Sequence, residues 1–359
     1  MPAPAVPEIY ELEPHPWAVE ADGSKQEYVT EFSTNYQELG LNKDDRVPSL
    51  VLVGGYGELG GSLDSALAFL AQQGIAAVAP RVRPGDIPGE RIKTEGFVRG
   101  FGREAIGAAQ DQTNPDEKAV VIGHSMGGAF TGITLEEAPG LIGDMGLAEP
   151  AAATTWALRE RYPNATRAEI ASIARLAKIA FNPLYKDSFA DKAVAAWEIG
   201  RQLKNDLVCW PPGKVMWEKF SLLPNNDIMP VTLDHAADGH NVVLGLGAND
   251  PLVIPKEVVQ SILGHIDADP DRYTPEAIAG IFHNLHFILN QKGGHMHLAS
   301  DAAQENLAQM AELIVPDNMR HEPAPARSNL SKRLFKLVMN QFSMDEWFEN
   351  VDDASARAA

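Results

Sequence analysis

Hydrophobic residues along this chain come in two textures that take turns. Short unbroken aliphatic runs, closed by glycine or a polar turn, occur at Ser49 to Gly54 (SLVLVG), Ile75 to Pro80, Lys118 to Gly123 (KAVVIG), Leu141 to Glu149, Asn241 to Gly247 (NVVLGLG) and His286 to Asn290 (HFILN). A strand with one wet face alternates apolar and polar residues, so runs without alternation predict strands buried on both faces. Between them, apolar positions recur at helical spacing over Gly61 to Gly74, Gly89 to Gln112, Met126 to Glu137 and Ala302 to Ile314. Ser62 stands in an N-cap position and Gly74 at a C-terminal stop. Strand and helix in alternation predict βαβ units with right-handed crossovers, and so an α/β fold whose mostly parallel central sheet carries helices on both faces.

From about Ala153 to Leu233 the rhythm changes to Ala-rich helical segments, such as Thr166 to Phe181, and Pro-containing loops. Connections inside a compact domain usually run a few residues, so this interval reads as a mostly helical cap inserted into the sheet domain. It holds Trp156, Phe181, Trp197, Trp210, Trp217 and Phe220, enough apolar surface to cover a cleft, although most of these rings are expected to pack the cap's own interior. The predicted organisation is a first core part at 28–152, the cap insertion at 153–233, a second core part at 234–315, and a C-terminal linker and amphipathic tail at 316–359. The tail follows the Pro-rich stretch His321 to Arg327 and places Leu330, Leu334, Leu337, Val338 and Phe342 among Lys332, Arg333 and Lys336. A basic amphipathic helix can lie on a membrane. The acids Asp345, Glu346 and Glu349 favour docking on the domain itself or on a second copy of the chain, a homo-oligomer through the tail.

Charge narrows the partners. A net charge of −19 gives a long-range field of the wrong sign for nucleic acid or an anionic membrane face. The acidic balance reads first as solubility, with adaptation to salt as the other reading. The N-terminus carries Glu8, Glu11 and Glu13 where a secretory leader needs basic residues and then an apolar run. The longest apolar stretches, such as Ser65 to Ala79, are broken by Gln72, Gln73 and Gly74, short of the roughly 18 residues of a membrane-spanning helix. The single cysteine, Cys209, cannot form an internal disulfide, which suits a reducing compartment. The expectation is a cytoplasmic protein without a membrane span.

The candidate chemistry centres on Gly123-His124-Ser125-Met126-Gly127. A serine hydroxyl is a weak nucleophile at neutral pH and needs a base to take its proton and a third group to orient that base. Gly-x-Ser-x-Gly alone is a weak signal, because glycine and serine are common. Here an apolar strand runs straight into it and a helix follows, the setting of a nucleophile elbow, in which glycines two residues either side of the serine leave room where a Cβ would clash.

With that setting, the chain resembles the α/β-hydrolase superfamily, and the roles that follow are what the resemblance implies. Oxyanion-hole donors would come from the backbone N–H groups of Tyr56, in Gly54-Gly55-Tyr56-Gly57, and of Met126, although Gly54 stands where the family commonly has histidine. The family's chain order of nucleophile, acid and histidine is available here. Asp250, in Ala248-Asn249-Asp250-Pro251 after the Asn241 strand, is the orienting carboxylate, with Glu149 the rival one strand earlier. His295, in Gly293-Gly294-His295-Met296-His297, is the base, with His297 its competitor and His124 read as a structural or surface residue. No cluster at metal spacing is expected beside the His295 and His297 pair, so no metal and no cofactor are implied. The Ser125 elbow argues against dehalogenases and epoxide hydrolases of this architecture, which use an aspartate nucleophile. GGYGELGG resembles a dinucleotide fingerprint but lacks an acidic residue at the end of the next strand. The resemblance implies an esterase-like serine hydrolase acting on a small neutral or apolar ester or related acyl compound. Carbon-carbon bond hydrolysis, acyl transfer, cofactor-free perhydrolysis and non-catalytic ligand binding on the same scaffold stay open.

Overall fold

The unbroken aliphatic runs do become strands, fully buried at Leu50–Val53, Ala119–His124 and Val242–Gly247, whereas Leu285–Asn290, at one edge of the sheet, leaves His286, Phe287 and Asn290 partly exposed. The computed structural model describes residues 8–11, 31–42, 46–55, 61–81, 96–113, 116–164, 167, 171, 175, 225–291, 295, 298 and 300–321. Its strands are β1 (Glu8–Glu11), β2 (Glu31–Thr34), β3 (Leu50–Val53), β4 (Ala77–Arg81), β5 (Ala119–His124), β6 (Ile142–Ala148), β7 (Val242–Gly247) and β8 (Leu285–Asn290). Its helices are α1 (Gly61–Gln72), α2 (Gly96–Thr113), α3 (Met126–Glu137), α4 (Thr155–Arg161), α5 (Met229–Ala237), α6 (Pro255–Ala268), α7 (Pro275–Asn284) and α8 (Asp301–Ile314). Among the described residues no helix is long and apolar enough to cross a membrane.

The strands form one eight-stranded sheet in the order β1-β2-β4-β3-β5-β6-β7-β8. From β4 to β8 every pairing is parallel, as the alternation predicts. The antiparallel edge made by β1 and β2 is an addition, and β1 lies before residue 28, where the core was expected to begin. Helices α6 and α7 are also additions, each opened by a proline in its first turn, with the Thr274 hydroxyl accepting from the Ala277 N–H at the start of α7. Proline suits that position because its missing N–H has no intrahelical acceptor.

Successive residues of each strand point to opposite faces, and the core divides accordingly. Val51, Val53, Val121, Val242 and Leu244 join the cluster that includes α2, α3, α5 and α6, with Phe101, Phe130, Met229, Leu233 and Val258 among its buried members. Leu50, Leu52, Val120, Ile122 and Val243 join the other cluster, covered by Leu63, Leu67 and Leu70 of α1 and by Leu307, Met310 and Ile314 of α8. Each such side chain contributes about 1.5–3 kcal/mol by leaving water. Helix α5 carries its core residues on both sides of position 233, so the expected boundary between the inserted interval and the second core part falls inside one helix.

Two polar ties fasten distant segments. Buried Asn35, just past β2, donates from Nδ2 to the carbonyls of Leu67 (3.0 Å) and Ile75 (2.9 Å) and accepts at Oδ1 from the N–H of Ala77 (2.9 Å), locking β2 to α1 and β4. Arg175, inside the 153–233 interval, grips Glu257 of α6 in a bidentate pair, Nη1 to Oε2 at 2.7 Å and Nη2 to Oε1 at 2.8 Å. Of the interval's predicted aromatics, Trp156 lies in α4, and Phe181, Trp197, Trp210, Trp217 and Phe220 lie outside the described residues, as do Cys209 and the tail after His321.

Removing one partner of a buried ion pair strands the other charge, at a cost of about 3–5 kcal/mol. Both side chains of this pair are about one-tenth exposed. Glu257→Gln is therefore expected to lower the unfolding free energy by about 3 kcal/mol, read from urea denaturation midpoints. An unshifted midpoint would show that the pair does not hold the interval to α6.

Candidate active site

The site begins where β5 turns into α3. Ser125 sits between them as the N-terminal flanking residue of α3, with φ 52° and ψ −113°. A non-glycine residue in that region costs on the order of 1–3 kcal/mol and persists only where its surroundings hold it. Here the Ser125 N–H donates to the Ala148 carbonyl (2.8 Å), and the Ser125 carbonyl accepts from the N–H groups of Ala151 (2.8 Å) and Gly128 (3.1 Å). The flanking glycines follow from the same tightness. A Cβ at Gly123 would stand 2.5 Å from Thr131 Oγ1 and 2.6 Å from the Gly127 carbonyl oxygen, and one at Gly127 would fall on the Val53 carbonyl oxygen. The elbow is thus pressed against the end of β3, which pairs with β5 in register Val53 to Gly123.

Ser125 Oγ lies 2.8 Å from His295 Nε2, and His295 Nδ1 lies 2.8 Å from Asp250 Oδ2. Asp250 follows β7. Its Oδ1 accepts from the N–H groups of Leu252 (2.7 Å) and Val253 (2.9 Å), which fixes the carboxylate plane and leaves Oδ2 for the imidazole. With a carboxylate as its partner, Nδ1 carries the proton and Nε2 is free to accept from the serine hydroxyl. Burial works against the imidazolium of His295, and the Asp250 charge and hydrogen bond, with a contribution from Glu149, outweigh burial and the opposing charge of His124, so its pKa is raised above the ordinary value. Ser125, His295 and Asp250 are three of the residues singled out in the sequence, and the fold brings them together.

It also brings in the rival acid. Glu149, the residue after β6, is 1% exposed, and its Oε2 lies 3.5 Å from His295 Nδ1 and 3.7 Å from His124 Nε2. Burial pushes the Glu149 carboxyl up to about 7, with the neighbouring His124 imidazole acting the other way. His124, expected to be merely structural or on the surface, is 4% exposed, and its ring lies 5.7 Å from that of His295. The side chains of His124, Glu149 and His295 offer ligand atoms within 4.8 Å of one another, contrary to the expectation of no cluster at metal spacing. Both His295 nitrogens already face Ser125 and Asp250, so an ion there would compete with those hydrogen bonds. Sequence distance hid this group, because its members come from three different strand ends; the one local signal was an acid, Glu149, closing an aliphatic run.

Of the two expected oxyanion donors, Met126 is the first residue of α3, so its N–H is one of the first-turn donors that have no intrahelical acceptor. Tyr56 lies outside the described residues, as does His297; Gly54 and Gly55, which precede Tyr56, follow β3 directly.

No described protein family matches the sequence, and no curated protein matches it. Solved structures match in shape. An esterase from Rhodococcus sp. ECU1013 superposes with a TM-score of 0.50 at 14% identity, covering 85% of this chain and 99% of that one. A thermophilic esterase from Thermogutta terrifontis has a TM-score of 0.48 at 12% identity, over 84% of this chain and 96% of that one. A hydrolase from Oleispira antarctica has a TM-score of 0.47 at 14% identity, over 74% of this chain and 90% of that one. At these identities the likeness is one of fold.

Two outcomes are expected from this geometry. Gly127→Ala forces the elbow away from β3 and is expected to cost about 1–3 kcal/mol of stability, measured by thermal or urea unfolding; a neutral substitution would contradict the close approach. In a histidine-selective NMR titration, His295 is expected to lose its proton above its ordinary pKa, and Asp250→Asn, by removing an anion that favours the imidazolium, to move the midpoint down. A midpoint that stays or rises in Asp250→Asn would break the assigned pair.

Proposed function

We propose that this protein, which has the α/β-hydrolase fold, is a serine hydrolase of carboxylic esters or related acyl compounds. The observation that carries the reading is the continuous chain of hydrogen bonds from Ser125 Oγ through His295 to Asp250, with 2.8 Å at each link. In it, Ser125 Oγ attacks the substrate carbonyl carbon as its proton passes to His295 Nε2. Asp250 accepts the Nδ1–H bond throughout, holding the imidazole in the reactive tautomer and stabilising the imidazolium. The negative charge that develops on the carbonyl oxygen meets the N–H groups of Met126 and Tyr56, each donor being worth about 3–4 kcal/mol when removed. His295 then returns the proton to the leaving alcohol, leaving an acyl group on Ser125. Water, deprotonated by His295 in its turn, attacks that acyl group; the acyl–Oγ bond breaks to free the acid, and His295 returns the proton to Ser125 Oγ. No step needs a cofactor.

The nearby β3 end supports the oxyanion role, because Gly127 packs directly on Val53 and Gly54. The acidic charge of the chain favours a neutral or apolar substrate over an anionic one. The 153–233 interval, tied to α6 through Arg175, is proposed as the cap that selects among acyl groups.

A series of p-nitrophenyl esters of rising chain length tests the reading, with a fluorophosphonate probe as an independent label. The wild-type chain is expected to turn over at least one ester and to carry the probe on Ser125. Ser125→Ala is expected to lose on the order of 10⁴-fold or more in kcat and to take no label. Absence of both turnover and labelling in the wild type would overturn the assignment.

A further inference from the structure

Asp250 is not the only carboxylate at His295. We propose that Glu149 is a second positioning carboxylate, sharing Nδ1 of His295 with Asp250 and, together with His124, setting the pH at which His295 becomes a base. The inference rests on the hydrolase reading of Ser125, His295 and Asp250.

The backbone holds Glu149 in place from several sides. Its N–H donates to the Gly245 carbonyl of β7 (2.7 Å), and two residues later Ala151 donates to the Ser125 carbonyl (2.8 Å). The non-glycine residues with left-handed backbone among those described are Ser125 (φ 52°), Glu149 (φ 48°) and Ala152 (φ 73°). All three belong to the elbow or the segment packed on it. Such strain persists where the surroundings over-determine it, and it gathers at functional sites. Glu149 is therefore carried on the same rigid unit as the nucleophile.

The charges complete the argument. Among the described residues, the titratable groups acting on His295 are Asp250, Glu149 and His124, from the ends of β7, β6 and β5; those acting on Glu149 are His124, Asp250 and His295. An apolar residue would fill the space at Glu149 without the cost of a buried carboxyl. Two imidazoles flank it instead, at 3.5 and 3.7 Å. Ionised Glu149 favours the imidazolium at His295, and neutral Glu149 does not. The Glu149 carboxyl is raised to about 7, and because its charge acts on the His295 imidazolium and that of the imidazolium on it, the apparent midpoints belong to the group. The sign follows: without the Glu149 charge, His295 gives up its proton at lower pH, and the base form needed for attack appears earlier.

The test compares kcat/KM against pH, from pH 5 to 9, for wild type and Glu149→Gln on an ester that the wild type turns over. The acidic limb is expected to move to lower pH in Glu149→Gln by about half a unit or more, and Glu149→Asp, which keeps the charge, to stay nearer wild type. Superimposed limbs would overturn the proposal. An NMR titration of His295 in Ser125→Ala and in Ser125→Ala/Glu149→Gln reads the same coupling without turnover. If that midpoint moves down while the wild type hydrolyses no ester, the Glu149 coupling stands and the hydrolase reading falls. If the wild type is active and the midpoint is unmoved, the coupling falls and the hydrolase reading stands.

Discussion

Four neighbouring parallel strands, β5 to β8, end at the same edge of the sheet, and everything at the candidate site depends on that alignment. Adjacent strands stand about 4.8 Å apart, so the residues just beyond their carboxyl ends are within side-chain reach of one another. Register does the rest: His124 pairs with Ala148, and Ala148 with Gly245. Ser125, Glu149, Asp250 and His295 follow those four strands in turn. The strand order reverses between β4 and β5, with β3 between them, so the glycines after β3 and the elbow after β5 share the crevice at which open α/β sheets bind ligands.

The site is expensive to hold. It contains left-handed backbone at Ser125, Glu149 and Ala152, and the carboxyl groups of Glu149 and Asp250 out of water. The two apolar layers provide the offset, one behind each face of the sheet, and the polar ties of Asn35 and Arg175 keep outlying segments from working loose. On the proposed mechanism this rigidity has a chemical purpose: a nucleophile held within hydrogen-bond distance of its base needs no reorganisation at the moment of reaction.

What was legible in the sequence was local. Aliphatic runs such as KAVVIG announce a doubly buried strand because no polar residue interrupts them, and the glycines around Ser125 announce a turn too tight for a Cβ. Asp250 and His295 were singled out by the resemblance to α/β-hydrolases, whose order of nucleophile, acid and histidine their loops supply. The antiparallel edge was not legible: EFST is short and carries no unbroken aliphatic run, and its pairing with β4 is a long-range event. Helices α6 and α7 are different: their apolar spacing is as regular as that of α8, with Val258 and Ile262 buried in one and Ile281 in the other, so they were legible in the sequence and were overshadowed by the aliphatic runs on either side. That Glu149 stands beside His295 together with Asp250, and not only as its rival, was hidden for a different reason. It arises from the register of β6 on β7 and the backbone turn at residue 149, neither of which leaves a mark in composition or spacing.

The left-handed backbone at Ser125 has an evolutionary consequence. A serine there works against folding, since glycine would adopt φ 52° without strain. Selection for stability alone would drive the position away from serine. On the proposed function, the residue at 125 is a record of use: lineages that abandon the chemistry should drift to glycine there early, before their cores show any change.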